Sequence, residues 1–184
     1  AVGNSALLSN TTGLNNVAVG LNALSFNTIG DNNLAIGNSA LYINTTGARN
    51  TAIGTSSLLS NTTGLNNVAV GLSSLRNNTT GGNNVAVGYQ VLFANTTGND
   101  NVALGYQALA YNTSGISNVA IGTNALNTNT TSGSNVVVGM NAASNFSSYT
   151  QCTFVGTSAD ASVSGLTNAT AIGYNARVGS SNSI

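Results

Sequence analysis

Lysine, glutamate, histidine, tryptophan and proline are all absent from this chain of 184 residues. Without His, Lys or Glu there is no ordinary catalytic triad, general base or carboxylate pair. Asp31, Asp100 and Asp160 fall at unrelated places in the sequence, and a calcium-binding roll would need acidic ligands in every turn. The chain is therefore read as a non-enzyme, with no catalytic, cofactor-binding or metal-binding residue. Charged residues make up 3% of it, against about 25% in an ordinary soluble protein. Arg49, Arg76 and Arg177 are scattered and too few to neutralise a phosphate backbone, which argues against nucleic acid as a partner. No apolar run approaches the roughly twenty residues of a bilayer span, so no membrane insertion is expected in this segment. A lone Cys152 gives no internal disulfide and reads as a small buried hydrophobe. A formal net charge of zero removes the usual solubility margin and favours contact between copies.

What the chain does have is a period. Gly3, Gly20, Gly37, Gly54, Gly71, Gly88, Gly105, Gly122, Gly139, Gly156 and Gly173 stand seventeen residues apart throughout. A period held from end to end is the signature of a solenoid. One unit runs from Asn15 to Asp31, and its pattern is Asn-Asn-apolar-Ala-apolar-Gly, then x-x-Ala/Ser-Leu-x-x-Asn-Thr-Thr-Gly. The first half alternates with the period of a strand. Each half-coil is too short and too rich in Gly, Asn, Thr and Val for a stable helix. The expected fold is all-β: a repetitive parallel β-roll or solenoid of 17-residue coils, with two short strands and two turns per coil. One continuous domain spans 1–184, regular over 1–139 and modified over 140–184, where the coils move toward a shorter repeat.

Two apolar columns are expected to form the core. The first column is Val19, Ile36, Ile53, Val70, Val87, Leu104 and Ile121, in which β-branched residues dominate, as a pleated, buried surface favours. The second column includes Leu24, Leu41 and Leu58. On the opposite strand face, Ala18, Ala35, Ala52, Ala69, Ala86, Ala103 and Ala120 make a stripe of methyls, read as a possible oligomer interface or as a crowded roll interior. In the second turn, Asn10, Asn27, Asn44, Asn61, Asn78, Asn95 and Asn112 fall one coil apart, so that amides stacked at about 4.8 Å form a hydrogen-bonded ladder. The Asn-Thr-Thr turns also read as glycosylation sequons, although Asn and Thr suit the turn for their own backbone bonding.

The last unit, Asn168-Ala169-Thr170-Ala171-Ile172-Gly173-Tyr174-Asn175-Ala176-Arg177-Val178-Gly179-Ser180-Ser181-Asn182-Ser183-Ile184, resembles the head repeat of trimeric autotransporter adhesins, the YadA-like head. That family's unit is close to S-x-A-I-G-x-x-A-x-A/V in a fourteen-residue coil. The longer coils resemble the same unit with three extra residues in the Asn-Thr-Thr-Gly turn. The resemblance implies a left-handed roll with three chains side by side, on a secreted or surface-displayed fibre. The expected function is a structural or adhesive fibre segment at the cell surface. It would act as a homotrimer or self-assembling fibre, with a host-cell or matrix surface as ligand. A phage or virus fibre shaft, a self-assembling extracellular filament, and an ice- or crystal-binding roll using Thr11, Thr45, Thr62, Thr79 and Thr96 are the alternatives.

Overall fold

The computed structural model describes all residues from Ala1 to Ile184. Ten coils each contribute one three-residue strand, in most of which Val, Ile, Leu or Thr flank an alanine. These are β1 (Val17–Val19), β2 (Leu34–Ile36), β3 (Thr51–Ile53), β4 (Val68–Val70), β5 (Val85–Val87), β6 (Val102–Leu104), β7 (Val119–Ile121), β8 (Val136–Val138), β9 (Thr153–Val155) and β11 (Thr170–Ile172). They stack in chain order as one ten-stranded parallel sheet. Like residues meet like: Val17 pairs with Leu34, Ala18 with Ala35 and Val19 with Ile36. There is no helix, and the chain is a β-solenoid of seventeen-residue coils.

The second wall differs from the expected second sheet. A short two-stranded sheet forms only at β10 (Asp160–Ala161) and β12 (Arg177–Val178). Elsewhere that wall carries left-handed residues, such as Asn22 (φ 56°) and Leu24 (φ 52°), which an extended strand cannot hold. It is still bonded from coil to coil, with Leu24 N donating to Ala40 O at 2.9 Å and Phe26 N to Tyr42 O at 3.1 Å. The phase glycine closes the sheet side. At Gly37 φ is 133°, and a Cβ would lie 2.6 Å from the carbonyl oxygen of Gly54 in the next coil. Only glycine admits both that conformation and that approach.

The strand faces are the reverse of the core expected from residue size. Ala18, Ala35, Ala52, Ala69, Ala86, Ala103 and Ala120 are completely buried, in one cluster with Leu24, Leu41, Leu58 and their successors. They line the roll interior and form no interface stripe. Val19, Ile36 and Leu104 are exposed, and Ile53, Val70, Val87 and Ile121 half-buried, so this column lies on the outside. The reason is thickness. The interior is one side chain deep, filled by leucine from one wall and a methyl from the other. Turning the strand over would force two β-branched columns into that space.

The coils change from β8 onward. Val137 and Phe154 take the alanine position, while Ala143 and Asp160 take the leucine position. The repeat then shortens. Asn168 Nδ2 donates to Asn182 Oδ1 at 3.0 Å across fourteen residues, where Asn15 Nδ2 reaches Asn32 Oδ1 across seventeen.

Candidate functional site

The turn asparagines form the ladder their spacing predicts. Asn27 Nδ2 donates to Asn10 Oδ1 at 2.7 Å and to Gly30 O at 3.0 Å. The same two bonds recur at Asn44, Asn61, Asn78, Asn95 and Asn112. Both amide hydrogens are thereby used, and all five of these side chains are fully buried. A glycan needs that same nitrogen free and exposed, so these sequons serve the turn and not glycosylation.

A second ladder went unread in the sequence. Asn33, Asn50, Asn67, Asn84, Asn101, Asn118 and Asn135 are also buried. Asn50 Nδ2 donates to Asn33 Oδ1 at 3.2 Å and to Gly64 O at 2.8 Å, while Asn50 N donates to Asn33 Oδ1 at 3.0 Å. The signal was there: Asn holds this column without exception from Asn16 to Asn135. The two ladders run side by side along the same turn edge, where Asn50 and Asn61 both donate to Gly64 O, and they satisfy the polar groups that this turn buries.

The threonine column is not an open hydroxyl array. Thr45, Thr62, Thr79 and Thr96 each donate Oγ1 to the backbone carbonyl of the next threonine, at 3.0 to 3.1 Å. Thr11 does the same to Thr28 O at 2.8 Å. A surface that binds an ordered lattice needs those hydroxyls pointing outward, which weighs against the ice- or crystal-binding alternative.

No pocket indents the surface, and no three His, Cys, Asp or Glu side chains come together. What the roll presents is a face. Outside the sheet, two columns run side by side, one through Val17, Leu34, Thr51 and Val68, the other through Val19, Ile36, Ile53 and Val70. Neither column contains a charged residue anywhere along the ten strands. At about 4.8 Å per strand the face runs on the order of 45 Å. Leu104 at its middle is 46% exposed and Ile172 at its end 66%. Apart from Thr51, Thr153 and Thr170, every residue of the two columns is Val, Ile or Leu. Leu72, Tyr89, Tyr106 and Met140 extend the apolar surface around one corner. Tyr89 and Tyr106 stack there with ring centroids 5.1 Å apart. Comparison with family models, curated proteins and solved structures returns no match.

Proposed function

We propose that this chain is a non-enzymatic structural segment of an extracellular fibre, which assembles by packing the outer faces of its sheets against further copies of itself. The observation that carries the reading is the continuous, uncharged and mostly Val/Ile face that runs along all ten strands. A second copy suits it better than a dissimilar partner, because a repeating, uncharged face is complementary to itself at every coil. The resemblance of Asn168–Ile184 to adhesin heads supports three copies at a cell surface, with attachment left to the turn edges outside the interface.

The test is the solution mass of the parent and of a Val70→Asp/Val87→Asp variant. Both sites are on the outer face, so the variant is expected to keep the parent's circular dichroism. Light scattering is expected to give three times 18.2 kDa for the parent and the single-chain mass for the variant. A parent that stays monomeric at every concentration, or a variant that keeps the parent's mass, refutes assembly through this face.

A further inference from the structure

Both side-chain ladders and the leucine column stop within one coil, and a different set of groups takes over. Asn129 Oδ1 is buried without a partner, because the next residue of its column is Phe146. The other ladder ends where Cys152 N donates to Asn135 Oδ1 at 3.0 Å. Tyr149 stands where earlier coils have the turn glycine, and its ring goes inward beside Phe154, with centroids 4.9 Å apart. One position of the leucine column becomes Asp160, which is 1% exposed.

We propose that Tyr149, Asp160 and Arg177 form a buried polar lock that holds the roll in register where the coil shortens from seventeen residues to fourteen. Asp160 Oδ1 accepts from Tyr149 Oη at 2.5 Å and from Ala161 N at 2.7 Å. Its Oδ2 accepts from Asn145 N at 3.2 Å and lies 3.5 Å from Arg177 Nη1. The four partners come from three successive coils. Leucine in this column tolerates sliding against an apolar wall, whereas a buried carboxylate tolerates only the register that keeps its donors. Tyr149 and Asp160 precede the first fourteen-residue spacing, between Asn168 and Asn182, and Arg177 lies within it. These are positioning residues, and the register itself is what they change.

Disulfide trapping reads that register directly. In a Cys152→Ala background, the pair Asn168→Cys/Asn182→Cys reports the fourteen-residue coil and Asn15→Cys/Asn32→Cys the seventeen-residue coil. All four sites are exposed and left-handed, so the two pairs carry the same backbone constraint. A coil spacing of about 4.8 Å lies within the Cα range of a disulfide. Both pairs are expected to close readily under a mild oxidant. Tyr149→Phe or Asp160→Asn is then expected to slow the 168–182 closure tenfold or more and to leave the 15–32 closure unchanged. Three results overturn the lock: a parent that fails to close 168–182, variants that close it within about threefold of the parent, or equal slowing at both pairs.

Discussion

Asn61 uses its whole amide inside the roll. Its Nδ2 donates to Asn44 Oδ1 at 2.8 Å and to Gly64 O at 3.1 Å, and its Oδ1 accepts from Asn78 Nδ2 at 2.8 Å. Asn61→Ala strips three bonds and leaves Asn44 Oδ1 and one Asn78 Nδ2 hydrogen unpaired away from water, while Gly64 O keeps its bond from Asn50, so a loss of about 2 kcal/mol or more is expected in urea unfolding. Thr63→Ala, on an exposed side chain two residues on, is expected to stay within about 0.5 kcal/mol. Equal effects would mean that the ladder contributes little. Tyr149 acts on stability through protons. Burial, then its hydrogen bond to Asp160 and that group's charge, raise its phenol well above the ordinary value. Below about pH 10 both the folded and unfolded chains hold this proton, and its contribution is constant. Above that, the unfolded chain releases the proton first, and stability falls by up to about 1.4 kcal/mol per pH unit until the folded phenol also titrates. Hydrogen exchange is expected to show coils after Gly139 loosening first at alkaline pH. Tyr149→Phe is expected to lack that alkaline loss. Uniform loosening along the whole roll would contradict the assignment.

At the scale of one coil, the period was legible because each strand pairs with its equivalent, and each ladder amide with the next, one repeat away. What residue size could not supply was the direction of the strand. Val-Ala-Val reads equally well with alanine in or out, and bulk alone favours the wrong face. The informative signal was constancy: alanine fills its column in seven successive coils from Ala18 to Ala120, while the outer columns accept Leu34 and Thr51 beside valine. Opposite a leucine the gap takes only a methyl, and Val137 and Phe154 enter the column where Ala143 and Asp160 replace that leucine, whereas a face on the outside accepts exchange at any coil. The left-handed second wall was hidden for a different reason. Leu24, Leu41 and Leu58 are residues that seldom adopt φ near 50°, and only the coil-to-coil bonds of the neighbouring backbone hold them there. Coils contact only their neighbours, so the element can be removed as a unit. Deleting residues 66–82 takes out one whole coil and is expected to leave the melting behaviour nearly unchanged. Deleting 66–81 is one residue short, throws both asparagine ladders out of phase and is expected to unfold the coils around the cut. A circular dichroism melt separates the two, and equal tolerance would refute registry by ladder.

For the whole molecule, six charged residues on an 18.2 kDa chain leave almost nothing for long-range electrostatics. None of the six lies on the outer sheet face: Asp31, Arg49 and Asp100 are at a turn edge, Arg76 packs its guanidinium 5.7 Å over Phe93, and Asp160 and Arg177 belong to β10 and β12. Association driven by that face therefore has no charge to screen. Its midpoint is expected to move less than about twofold between roughly 50 mM and 500 mM sodium chloride, a range over which pairs of exposed charges are progressively screened. Sulfate is expected to tighten it, because excluded salts strengthen the burial of apolar surface. Sedimentation velocity across both series checks this in one experiment. Steep weakening in chloride would place the contact at the arginine- and aspartate-bearing edges, and the Val/Ile face would then need another occupant.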